Sequence, residues 1–316
     1  MKKSLLAVVT ALAMAGCSQN DLVDEIDNGG QISKAEIKFS SVVNKVSRAT
    51  PLTSSDQLTS FQVYGYTTGT QDFGTGTATS YLSDKITYDN GNWNGTKTYY
   101  WPLTDKLSFF AYSSSQEDLS FTEASGTGYP SFSYKVAGID TQEDLLVAQD
   151  LNNSKPAESS TITFGFTHAL TQVNFAVQLP NDDYYYKIDN ITLEGIKDEG
   201  TYTYAASNEQ WTGDDTTLAS YVYAGVYSIV QGKGNPVEYG TENNALLLLP
   251  QTLGESAKIS VKYIVTKNAD DTTGKVYEGT QSVSLANKTW GVGKNIKYTL
   301  ALQPDGVITY SANIGN

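Results

Sequence analysis

The side chains best suited to chemistry are scarce in this chain of 316 residues: one His, one Cys and, among 21 basic residues, a single Arg at position 48. His168 is the only imidazole, so nucleophilic or general-base catalysis would run through it or through carboxylates. It stands in Phe164-Gly165-Phe166-Thr167-His168-Ala169-Leu170, at a strand start after a polar linker, where a hydrogen-bonded structural histidine is the commoner fate. No G-x-S-x-G elbow, Walker loop or H-E-x-x-H motif accompanies it. One Cys and one His cannot build a disulfide framework, a Cys/His zinc site or a redox pair. We therefore expect no catalytic residue, no metal site and no cofactor.

Cys17 and Arg48 suggest processing chemistry instead. Lys2 and Lys3 precede an apolar run from Leu5 to Met14, and the small residues Ala15 and Gly16 lead into Cys17, which has the layout of an export signal. The run is shorter than the roughly 20 apolar residues a spanning helix needs. Leu12-Ala13-Met14-Ala15-Gly16-Cys17 resembles a lipoprotein box, with Met14 where Leu is commoner. That resemblance makes Cys17 the lipidated N-terminal residue, held to a membrane by several acyl chains, palmitate among them. Ser18 to Glu25 is acidic and without period, a solvated tether.

Arg48 follows a plausible strand, Ile37 to Val43, and sits in the soft segment Asn44 to Pro51. It is the one place where an arginine-specific protease could cut, leaving Ala49 as the new N-terminus. Such a cut would release the chain from its anchor and free a first strand carrying Ile37, Phe39, Ser41 and Val43 on one face. At the other end, the turn Pro304-Asp305-Gly306 leads into Val307 to Ile314, with Ile308, Tyr310, Ala312 and Ile314 on one face. A sandwich that loses a strand exposes an edge and an apolar groove, which a neighbour's strand can fill by β-augmentation. Head-to-tail exchange of that kind does not close and so builds a filament. The residues alone leave a second arrangement equally open, in which both end strands pair within their own subunit and Arg48 is a solvated loop residue.

The elements that position these residues read as strands. Ile37 and Phe39, Phe61 and Val63, Val173 to Leu179 and Ile259 to Val265 all alternate apolar and polar, with turn clusters such as Asp89-Asn90-Gly91-Asn92 between runs. The expected class is all-β, a sandwich architecture. The length favours two domains, since single cores stop growing at about 250–300 residues. The polar stretch Asn152 to Ser160 is the expected boundary. A formal net charge of −13 excludes a partner whose phosphates must be tracked, so no nucleic acid is expected. Tyr99, Tyr100 and Trp101, with Tyr184, Tyr185 and Tyr186, offer flat rings on which sugars could stack, which keeps a monomeric glycan-binding surface lipoprotein in view as the alternative.

A series of motifs resembles the fimbrillin family, the Mfa-like type V pilins of Gram-negative bacteria. It comprises Cys17, Arg48-Ala49-Thr50, Tyr100-Trp101-Pro102 with Leu107 to Tyr112, Asp144 to Ala148, Phe166 to Leu170 with Val173, Leu248-Leu249-Pro250-Gln251, and Trp290 with Gly293-Lys294 and Tyr298. The resemblance implies two tandem β-sandwich (transthyretin-like) domains. Residues 1–16 would be a lipoprotein signal peptide, 17–48 a lipidated tether and removable first strand, 49–158 the N-terminal domain, and 159–316 the C-terminal domain with its donor strand. It further implies export through the periplasm to the outer membrane as a lipoprotein, cutting after Arg48 by an Arg-specific protease, and polymerisation with other fimbrial subunits by donor-strand exchange into an adhesive surface fimbria. Many members end in a Trp-containing tail, whereas this chain ends Asn313-Ile314-Gly315-Asn316. That leaves stalk, tip and anchor roles all open, and the cleavable Arg48 favours a stalk or accessory subunit over an anchor.

Overall fold

Side chains along a strand face opposite sides in turn, so short alternating runs bounded by Gly, Pro, Asn and Asp should give strands. The computed structural model describes residues 35–43, 58–114, 119–180, 182–207, 210–214, 216–224, 230–231, 236–239, 245–269 and 273–315. Among them every regular element is a strand. In chain order the first are β1 (Glu36–Val43), β2 (Ser60–Thr67), β3 (Thr79–Asp89), β4 (Asn92–Asn94), β5 (Tyr99–Tyr100), β6 (Leu107–Ser113), β7 (Ser120–Thr122) and β8 (Ser131–Lys135). Next come β9 (Leu146–Asn153), β10 (Ser160–His168), β11 (Thr171–Gln178), β12 (Tyr185–Lys197), β13 (Glu199–Thr203), β14 (Gln210–Gly213), β15 (Leu218–Ala224) and β16 (Val230–Gln231). The last are β17 (Val237–Tyr239), β18 (Leu246–Leu248), β19 (Gln251–Thr252), β20 (Lys258–Thr266), β21 (Lys275–Ser284), β22 (Thr289–Trp290), β23 (Asn295–Leu302) and β24 (Ile308–Gly315).

Eight strands form one sheet in the order β4-β3-β2-β6-β9-β10-β1-β5. The β3–β4 hairpin turns on Asn90-Gly91, with φ of 51° and 86°, the left-handed pair that a two-residue type I′ turn requires. Strand β6 is buried without a break from Leu107 to Tyr112 because both its faces are covered. Phe109 and Ala111 join Phe39, Phe61, Val63 and Phe164 in a smaller core, while Phe110 and Tyr112 join Phe132, Tyr202 and Tyr204 in a larger one. The larger core runs on between two five-stranded sheets, β17-β11-β23-β24 with β18 beside β11 and β15-β12-β20-β21 with β16 beside β12. The remaining sheets are β14-β13-β8-β7 and β19-β22. The architecture is thus all-β with packed sheets, as the alternation predicts.

The polar stretch at 152–160 joins two hydrogen-bonded neighbours, since β10 pairs with β9 at Thr167↔Val147 and His168↔Leu146. The chain leaves the eight-stranded sheet at Ala169-Leu170, and β8 pairs with β13. Asn- and Ser-rich segments mark turns within a sheet as readily as linkers between domains. Polar side chains reinforce the joint: Tyr204 Oη donates to the Ala111 carbonyl at 2.8 Å and Gln149 Nε2 to the Ala205 carbonyl at 2.7 Å.

The cores are rich in tyrosine, and this gives the fold an alkaline limit. Burial pushes the Tyr186 phenol up to about 12 and raises Tyr66, Tyr112, Tyr221 and Tyr263 further. A raised folded value favours the neutral phenol, so this stabilisation is complete below the ordinary tyrosine value near 10 and is lost as pH rises above it. Each such tyrosine then costs about 1.4 kcal/mol per pH unit. We expect a flat stability profile to about pH 10 and cooperative unfolding above it, with phenolate absorbance rising in the same transition. Smooth tyrosine titration with intact near-UV dichroism throughout would contradict this.

Candidate functional site

All four alternate residues of β1 face the smaller core, with Ile37, Phe39, Ser41 and Val43 only 5–9% exposed. The strand lies between β10 and β5. It runs parallel to β10 from Ile37↔Ser160 to Val43↔Phe166, and antiparallel to β5 at Glu36↔Tyr100 and Ile37↔Tyr99. The Phe39 ring stacks on Phe164 with centroids 6.0 Å apart and meets Phe109 edge-on at 5.8 Å. On the outer face the Ser40 and Thr163 hydroxyls share a 2.7 Å hydrogen bond. On the inner face Ser41 Oγ is buried and, among the described residues, has no hydrogen-bond partner. A buried hydroxyl left that way costs about 1–3 kcal/mol.

The walls beside β1 are fastened to strands other than β1. Tyr81 Oη donates to the Tyr100 carbonyl at 2.5 Å, and Tyr99 Oη donates to the Ser83 carbonyl at 3.4 Å, so β5 hangs from β3. The buried Asp84 carboxylate accepts from Thr96 N at 2.9 Å, Thr96 Oγ1 at 2.5 Å and Lys97 N at 3.3 Å, fixing the loop that delivers β5. A cleft of about 680 Å³ opens between Glu36–Ser40 and the 91–99 segment. Sequence reasoning missed Asp84. The signal was present: Asp84 lies between Leu82 and Ile86 on the inward set of an alternating strand, where a carboxylate needs donors.

The last strand is held differently. Among the described residues β24 is an edge strand that pairs with β23 alone, from Leu302↔Ile308 to Asn295↔Gly315. Ile308 and Tyr310 are half-buried, with Tyr310 edge-on to Tyr298 at 5.5 Å, but Ala312 is exposed and Ile314 is 60% exposed. The turn before it is closed by Gln303 N donating to the Val307 carbonyl at 2.9 Å. At Gly306 φ is +90° and an added Cβ would lie 2.5 Å from Tyr277 Cε2, so only glycine fits.

Of the other residues singled out, Cys17, Arg48 and Ala49 lie outside the described residues. His168 ends β10 rather than opening a strand, and its Nδ1 is 2.8 Å from Asp144 Oδ2 with both side chains under 9% exposed. This buried pair ties the end of β10 to the segment entering β9. Tyr99, Trp101 and Tyr186 are buried, because adjacent residues of a strand face opposite sides, and the three-ring platforms do not form.

Among proteins of known name, the chain is 23% identical over 368 aligned positions to the fimbrium subunit Fim1C of Phocaeicola vulgatus, covering 99% of this chain and 95% of that one. Its fold is similar to that of a candidate cell adhesion protein of Bacteroides ovatus, with a TM-score of 0.51 at 15% identity over 90% of this chain and 98% of the other. The family model described as fimbrillin-like matches residues 47–316, most of the chain, and the protein belongs to that fimbrillin-like family.

Proposed function

We propose that the chain is a structural subunit of a cell-surface fimbria, made as a precursor lipidated at Cys17, exported through the periplasm to the outer membrane, cut after Arg48 and polymerised by donor-strand exchange. Its partners are other fimbrial subunits, an Arg-specific protease and, for the precursor, the outer membrane. The observation that carries this reading is the contrast between the end strands. β1 fills the smaller core from a position just before the only Arg, between walls fastened elsewhere, while β24 is an edge strand with part of its apolar face uncovered.

Withdrawing β1 would uncover Phe109, Ile162 and Phe164, each worth about 1.5–3 kcal/mol of burial, and would bare both the β10 and β5 edges. An open groove of that kind drives capture of a strand from another subunit. Charge is not the trigger, because residues 1–48 carry six positive and five negative side chains and processing moves the net charge only from −13 to −14.

The test is to treat purified residues 18–316 with an arginine-specific protease, sequence the new N-terminus and run the product unboiled on a denaturing gel. We expect Ala49 as the N-terminus and a heat-labile ladder that persists in moderate salt, with Arg48→Ala giving none. Resistance to the protease, or a cut that leaves only monomer, would overturn the reading in favour of a lone surface-binding lipoprotein or a non-polymerising tip subunit.

A further inference from the structure

Resting on the strand-exchange reading, we infer that β24 of a second copy of this chain occupies the vacated β1 site parallel to β10 in one fixed register. Ile308 takes the place of Ile37, Tyr310 that of Phe39, Ala312 that of Ser41 and Ile314 that of Val43. The inference rests on comparing Glu36-Ile37-Lys38-Phe39-Ser40-Ser41-Val42-Val43 with Val307-Ile308-Thr309-Tyr310-Ser311-Ala312-Asn313-Ile314. Both inward sets read branched, aromatic, small, branched from N- to C-terminus.

Three details at the site favour the incoming strand. Ser311 falls at the position of Ser40, whose hydroxyl bonds Thr163, so the same outer-face hydrogen bond can form again. Ala312 falls at Ser41, whose buried hydroxyl has no partner among the described residues, and a methyl group there leaves nothing unsatisfied. Asn313 falls at Val42, an apolar side chain that is 47% exposed, and restores a polar residue to the surface. The move also takes Ile314 from 60% exposure to a position where Val43 is 9% exposed, and exchanges one ladder for two.

Other seatings fail on shape. A slip of one residue turns Thr309, Ser311 and Asn313 into the core. A slip of two in one direction puts Tyr310 into the space of Ser41, and in the other puts Ala312 opposite Phe109 and Phe164, where Phe39 leaves a ring-sized hole. Reversing the strand brings Tyr310 to Ser41 and Ala312 to Phe39 together. The match is between two segments of one sequence, so the strand the groove fits is that of another copy of this chain.

The register can be read by disulfide trapping, because residues 18–316 contain no cysteine. Ser311→Cys with Thr163→Cys should, after cutting and mild oxidation, give a ladder that survives boiling and collapses with thiol. Ser311→Cys with Thr161→Cys, which reports a slip of two, should give at least tenfold less. A heat-labile ladder that traps equally or better through the slipped pair would overturn the register while leaving strand exchange standing. Absence of any heat-labile ladder from the unsubstituted protein would remove the reading beneath it, and the inference with it. Ala312→Trp supplies a second measure: Ala312 is exposed in the free subunit, so the soluble monomer should melt as before, while polymer yield should fall at least tenfold. Full polymer from that variant would overturn the register.

Discussion

Phe39→Ala should weaken the precursor by about 3–5 kcal/mol and leave the assembled filament unchanged. In the precursor the ring is 8% exposed and packed between Phe109 and Phe164, so truncation leaves a cavity that the surrounding sheet cannot collapse to fill. For a chain of this size the loss corresponds to a fall of roughly 10 °C in Tm. After the cut at Arg48, β1 is held only by its side chains and two ladders, and a loss of that size weakens its retention by about a hundredfold or more. The cut variant should therefore shed its first strand sooner and polymerise at least as fast as the unsubstituted protein. Once assembled, the two filaments contain identical chains, because residue 39 has been removed from both. Paired melts of precursor and polymer check this directly. A polymer of the variant that melts lower than the unsubstituted polymer would show that β1 remains in the filament.

How much of this was legible in the sequence follows from what a period of two can carry. It reports which side chains share a face, and with that the all-β class: Ile37, Phe39, Ser41 and Val43 are buried together on β1, whereas on β24 only Ile308 and Tyr310 are half-buried and Ala312 and Ile314 are exposed. It does not report which strands are neighbours. The placement of β10 in the first sheet and the pairing of β8 with β13 rest on contacts between residues far apart in the chain, and the polar turn at 152–160 looks the same whether it separates two domains or two strands. Burial in strands also defeats motif reading for aromatics. Tyr99-Tyr100-Trp101 looks like a platform as a string, yet alternation sends Tyr99 and Trp101 inward and leaves Tyr100 half-exposed. Asp84 was the opposite case, a residue whose odd place in an alternating run carried information that turn-based reading passed over.

Ile314→Asp should leave the free subunit intact and abolish its ability to extend a polymer. At 60% exposure, on an edge strand, the substitution falls among surface changes that usually shift stability by less than about 0.5 kcal/mol. Seated as a donor, the same side chain would lie where Val43 is buried beside Phe166, and an unpaired carboxylate there costs several kcal/mol, enough for more than a hundredfold loss of extension. The groove of this variant is unaltered, so it can still accept a strand from another copy after cutting. Arg48→Ala has the complementary defect: it keeps β1 and cannot accept, but its β24 can donate. Each alone should remain monomeric. Mixed after protease treatment, the two should form one heat-labile heterodimer and nothing longer, since the only open groove belongs to one partner and the only competent donor to the other. A ladder from Ile314→Asp alone would show that β24 is not the donor. A ladder from the mixture would mean that a second route joins the subunits.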